Sequence, residues 1–153
     1  MSVLDDASAY AKAILGFPVT GQLQTIAGAA THQVFTVAGG EVLIEMWGKC
    51  ATAMAGANTV NVQTDPTTGD TVVIATATDL GTTDTAAGTV ICGQLATAAT
   101  PGLVKGCGEP LRFVATTGEV ESVITGAGAD GAIQWYCRYV PLTAGATVAA
   151  ATT

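Results

Sequence analysis

The sequence predicts an all-β protein, a single antiparallel β-sandwich or barrel of jelly-roll-like kind, and three observations lead there. Gly131 to Leu142, GAIQWYCRYVPL, places Ile133, Trp135, Cys137 and Tyr139 on one side and Gln134, Tyr136, Arg138 and Val140 on the other. That two-residue period belongs to a pleated strand and not to a helix. Elsewhere, Val- and Thr-rich runs are separated by turns built from Gly, Pro and Asp. Ala, Thr and Gly are abundant and aromatic residues make up only 5% of the chain, which favours short strands over helices with Leu-rich stripes.

With 153 residues the chain suits one domain with a hydrophobic core, and the reading divides it into an arm (1–21), a β-sandwich (22–142) and a low-complexity tail (143–153). In the arm, Leu4 to Leu15 has helical spacing through Leu4, Ala7, Tyr10, Ala11 and Ile14, with Asp5 or Asp6 as cap and Gly16 and Pro18 as terminators. So short a helix is marginal alone and needs a surface to dock on.

His32–Val37 and Glu41–Lys49 flank Ala38-Gly39-Gly40 and read as a hairpin. Thr59–Thr64 and Thr71–Thr78 read as a second, closed by Asp65-Pro66-Thr67-Thr68-Gly69-Asp70. Asp79 to Gly88 reads as a loop, Thr89–Cys92 as a strand and Gly93 to Gly108 as a long connection. Leu111–Ala115 and Val120–Thr125, around Thr116-Thr117-Gly118-Glu119, read as a third hairpin before the long strand. The total is eight or nine strands, with the long one central and its second face met by a partner subunit. The closing TAGATVAAATT has almost no bulky side chains and is expected to be mobile or laid along a partner.

Composition removes several function classes. Twelve acids against five bases give a net charge of −7, and Lys12, Lys49, Lys105, Arg112 and Arg138 are scattered, so direct nucleic-acid binding is not expected. No apolar run reaches the roughly 18 residues of a membrane span, and MSVLDDASAY lacks the pattern of a secretory signal, which places synthesis in a cytosol. Cys50, Cys92, Cys107 and Cys137 form no C-x-x-C pair and are expected as buried thiols.

Catalytic constellations are wanting as well. His32 is the one histidine, and no cysteine sits in a nucleophile signature, so a His32–Cys hydrolase is the minor alternative. The loop acids Asp65, Asp70, Asp79 and Asp84 lack calcium-loop spacing, and GAGADG (126–131) precedes a strand instead of opening a helix, so it is a turn and not a dinucleotide fingerprint. No cofactor and no metal are called for.

The end of the chain, GAIQWYCRYVPLTAGATVAA, resembles the C-terminus of a family of small virion proteins from tailed bacteriophages through Trp135, Tyr136, Cys137, Pro141, Leu142, Val148, Ala149 and Ala150. The order of elements from Thr31 onward is similar too, whereas Leu4–Leu15 lies outside the pattern. The resemblance implies a β-rich, oligomeric capsid decoration or minor virion protein without enzymatic activity. The expectation is therefore a cement protein of the virion, assembled in the host cytoplasm, that binds the outer capsid surface as a homotrimer with the major capsid protein as partner. Its candidate contacts are Tyr10, Ile14, Leu15, Phe17, Trp135, Tyr136 and Arg138. The alternative is a tail, baseplate or head-fibre component that contacts a host glycan.

Overall fold

Residues that alternate between bulky apolar and polar along most of the chain form eleven strands in the computed structural model, which describes residues 14–82, 84–94, 102–106, 108–126, 128 and 130–152. They are β1 (Phe17–Thr25), β2 (Ala30–Ala38), β3 (Val42–Thr52), β4 (Asn58–Pro66), β5 (Val72–Asp79), β6 (Val90–Gly93), β7 (Leu103–Lys105), β8 (Leu111–Ala115), β9 (Gly118–Gly126), β10 (Ala132–Pro141) and β11 (Thr147–Ala150). Two antiparallel sheets result. Sheet A runs β1-β10-β3-β6-β7, with β8 also on β3, and sheet B runs β11-β2-β9-β4-β5. Neither closes on itself, and the arrangement is sandwich-like.

The inward rows of the two sheets make one core. Sheet A contributes Ile44, Met46, Leu111, Phe113, Ile133, Trp135 and Cys137, and sheet B contributes Phe35, Val37, Val60, Val62, Val120 and Ile124. The alternation read along β10 is reproduced: Ile133, Trp135, Cys137 and Tyr139 are buried, while Gln134, Tyr136, Arg138 and Val140 face outward. As expected, β10 is an interior strand, between β1 and β3. Trp135 is fully buried and its indole Nε1–H donates to Gln24 Oε1 at 2.8 Å, which satisfies the one polar atom of a large apolar side chain. Opposite it in register stands Gly48, where a Cβ would come within 2.9 Å of the indole. Space for Trp135 therefore exists because β3 has no side chain there.

Of the three expected hairpins only β4–β5 pairs with itself. β2 lies in sheet B beside β9 while β3 lies in sheet A beside β10, so the Gly39-Gly40 turn crosses from one sheet to the other. Gly39 has φ +78° and Gly40 φ +130°, and a Cβ on Gly40 would approach Thr143 Cβ to 2.6 Å. The glycines are required, but by a sheet crossing. Likewise β8 pairs with β3 and β9 with β2 and β4, so Thr116-Thr117 is a crossing too. A third crossing joins β10 to β11. All three meet at one end, where Gly40 N donates to Thr117 Oγ1, Glu41 N to Thr143 Oγ1 (both 3.0 Å) and Leu142 N to Glu41 O. The physical reason is burial: Phe35 and Val37 on β2 face Val42 and Ile44 on β3 through the core, which a flat hairpin would not permit.

Other expectations also change. The segment from Thr143 is not a loose tail: β11 pairs with β2, with Ala146, Val148 and Ala151 buried. β1 begins at Phe17, inside the segment set apart as an arm. The expected helix over Leu4–Leu15 falls outside the described residues except for Ile14 and Leu15, which have helical backbone. Within the expected connection of 93–108, β7 pairs with β6, and the residues 95–101 and Cys107 lie outside the described part.

Candidate interaction face

The outer face of sheet A is built by the outward positions of four strands in register. Leu43 lies beside Val140 and Val114, Glu45 beside Arg138 and Arg112, Trp47 beside Tyr136, and Lys49 beside Gln134 and Val90. β1 adds Pro18, Thr20 and Leu23 on the far side of β10. Leu23, Val90 and Val114 are exposed, and Trp47 and Tyr136 stack with ring centroids 6.1 Å apart at 17° while remaining partly open to solvent. Lone exposed apolar side chains are ordinary, but a contiguous aromatic and aliphatic patch on a sheet face marks a contact site.

At the centre of this patch Glu45 is buried and bridges two guanidinium groups. Arg112 donates through Nη2 to Oε1 and Arg138 through Nε to Oε2. Burial alone would raise the Glu45 carboxyl, but the hydrogen bonds and charges of Arg138 and Arg112 outweigh it and hold its pKa below the ordinary value. The pair of arginines is thereby fixed in place, with their side chains 68% and 46% exposed. A groove of about 340 Å³ runs beside the triad, lined by Ile14, Leu15, Leu43 and Val140 as well as the charged groups.

Charge separates this face from the rest of the chain. Among the described residues Lys49, Arg112 and Arg138 stand here in register with a single acid, Glu45, although the net charge of the chain is −7. The outer face of sheet B is the reverse. Among the described residues it carries Asp65, Glu119 and Glu121 without a Lys or Arg, among Thr36, Thr59, Asn61, Gln63 and Thr125.

The expected contact residues distribute unevenly. Tyr136 and Arg138 lie on the face, and Ile14 and Leu15, each 61% exposed, lie beside its groove. Phe17 is half-buried and stacks on Tyr139 at 5.3 Å. Trp135 is a correction: it belongs to the core and offers no surface, because its position in the two-residue period is the inward one. Tyr10 lies outside the described residues. Sequence reading missed Leu43, Glu45, Trp47 and Arg112. The row Leu43-Glu45-Trp47-Lys49 is itself a two-residue pattern and was open to reading, but its meeting with Arg112 depends on the β3–β8 pairing.

Cys50 Sγ donates to the carbonyls of Thr52 and Thr85 and its pKa is raised by burial, while burial pushes the Cys137 thiol up to about 12. Both are poor nucleophiles in that state. His32 Nε2 makes no hydrogen bond. Among the described residues no group of three His, Cys, Asp or Glu side chains is placed to hold a metal, and no helix is long and apolar enough to cross a membrane. Comparison with protein-family models, with characterised proteins and with solved structures finds no match.

Proposed function

We propose that this protein is a non-enzymatic structural component of a bacteriophage virion, a decoration or cement protein that docks on the outside of the assembled head. The observation that carries the reading is the outer face of sheet A, an aromatic and aliphatic patch with three positive charges on an otherwise acidic chain. Such a face fits a shell surface that is itself apolar and acidic, and its charges set orientation and encounter rate more than affinity. The topology adds an analogy. β2 pairs with β9 and β3 with β8, so two antiparallel strand pairs roll together across the sandwich, as in the jelly rolls common among viral capsid and lectin domains.

The size of the face favours more than one copy, and the homotrimer is the oligomer proposed. Strand spacing and rise give it roughly 20 by 20 Å, or about 400 Å², half of the ~800 Å² that each side of a stable interface buries. One copy would bind weakly. Three joined copies bind by avidity, and binding only the assembled shell stabilises that shell by mass action.

The test is co-sedimentation of the protein with heads that lack it, followed by heating of the decorated and bare particles. Wild type is expected to pellet with the heads and raise their disruption temperature, and Trp47→Ala with Arg138→Glu is expected to remain in the supernatant. Equal pelleting of wild type and the double variant would reject the face, and equal heat resistance of the two particles would reject the cementing role. Light scattering at constant concentration checks the trimer.

A further inference from the structure

A second feature adjoins the docking face at Leu23 and lies at the seam where the edge of sheet A meets sheet B. β11 pairs with β2 only from Phe35 to Ala38, and the contact ends with Ala151 N donating to Val34 O at 3.2 Å. Beyond that point a cleft of about 440 Å³ opens, within the range of small-molecule sites. Gln22, Gln24, His32, Gln33, Glu121 and Thr152 are among its lining residues.

Three of these groups are unusual. Gln24 is 4% exposed, and although its Oε1 accepts from the Trp135 indole, its Nε2 has no partner. His32 Nε2 is buried and has none either. Glu121 is 7% exposed, and its Oε2 accepts from Gln63 Nε2 at 2.8 Å. A buried amide N–H without an acceptor costs about 1–3 kcal/mol, and two unpartnered nitrogens at one cleft point to a group that supplies the missing bonds.

The chemistry of that group follows by elimination. The lining has a carboxylate and no Lys or Arg, so an anion is repelled. A cation, whether an ammonium group or a metal ion, offers no acceptor, and Gln24 Nε2 needs one. An uncharged hydroxyl accepts from Gln24, donates to Glu121, and takes either role toward His32 according to the imidazole tautomer. We infer that the seam cleft between β1 and β2 is a binding site for a neutral polyhydroxy ligand, a sugar ring, held by Gln24, His32 and Glu121. This site shares neither its charge nor its key residues with the shell-docking face, and it stands or falls without it.

The experiment is a titration of the whole isotope-labelled protein with neutral hexoses and N-acetylated amino sugars, read at the Trp135 indole N–H and the His32 ring signals in NMR spectra. Trp47→Phe assigns the two indoles. The expected result is a saturable shift of both signals in wild type, with affinity weakened about tenfold in Glu121→Gln and, read at the Trp135 indole alone, in His32→Phe, the loss of one good hydrogen bond each. Unchanged near-ultraviolet circular dichroism shows that both variants keep the fold. The inference is overturned if no neutral sugar moves these signals, if inorganic phosphate or an extended peptide moves them and sugars do not, or if both variants bind as wild type does. Head co-sedimentation of Glu121→Gln is expected to equal wild type, so failure here and failure of the docking face read out separately.

Discussion

The two outer faces of the sandwich start from the same rule and end opposite. In both sheets every second residue is buried, which fixes the inner rows as apolar and leaves the outer rows free. On sheet B that freedom is taken up by Thr59, Asn61, Gln63 and Asp65 of β4 against Thr125, Val123, Glu121 and Glu119 of β9, a mainly polar face. On sheet A it is taken up by Leu43, Glu45, Trp47 and Lys49 of β3 against Val140, Arg138, Tyr136 and Gln134 of β10. Nothing in strand formation demands Trp47 or Val114 on an outer face. Val114 is exposed and Trp47 partly so, beside arginines tied to a buried glutamate, and the proposed docking role rests on this difference between the faces.

The largest expected effect comes from the core that both faces share. Trp135→Ala should cost about 3–5 kcal/mol, seen as a large fall in the urea midpoint, because the indole is fully buried and its packing cannot be recovered. A loss below about 1 kcal/mol would mean that the two sheets are not joined through this residue.

Next come the acids at the centre of each face. Glu45→Ala leaves Arg112 and Arg138 as neighbouring like charges and should cost about 1–2 kcal/mol, less than a wholly buried pair because both guanidinium groups reach solvent. Glu121→Ala on sheet B removes one hydrogen bond from Gln63 and should cost no more than about 1 kcal/mol. Equal losses would remove the distinction between the faces.

Acid titration sharpens the same point. The folded pKa of Glu45 lies below its ordinary value of 4.5, so its contribution is complete above that pH and is lost as pH falls through the folded value. Unfolding curves of wild type should therefore converge on those of Glu45→Gln as pH drops below about 4. Parallel curves down to the lowest pH would show that the triad does not form in solution.

A small effect on stability is expected where the effect on binding is greatest. Tyr136→Ala and Trp47→Ala remove half-exposed rings and should each cost about 1 kcal/mol in stability while abolishing co-sedimentation with heads. Asn61→Ala on the opposite face should alter neither. Loss of binding with Asn61→Ala would transfer the docking role to sheet B.

Much of this was legible in order along the chain. Ile133, Trp135, Cys137 and Tyr139 announce an inward row, and Asp65-Pro66 with Gly69 announces the β4–β5 hairpin, since both signals are local. The Gly39-Gly40 turn was legible only as a turn: positive φ serves a hairpin and a sheet crossing equally well. The closing TVAA of β11 carries no strong propensity, and its place beside β2 comes from burying Val148 on the core. Arg138 and Tyr136 were visible as outward residues of β10, yet the face they belong to was not, because Glu45, Trp47 and Arg112 are brought to them by pairing across long sequence separations.

By itself, then, the amino-acid order determined the identity of most strands, the buried side of β10 and the excess of negative charge, all properties set within a few residues or by simple composition. Only the tertiary structure decided which strands are neighbours, that the turns after β2, β8 and β10 cross between sheets at one end, and that Lys49, Arg112 and Arg138 share one side with the Trp47 and Tyr136 rings. The reason is that strand pairing is chosen by non-local burial and register: each edge accepts many partners, and the shared core selects one arrangement among them.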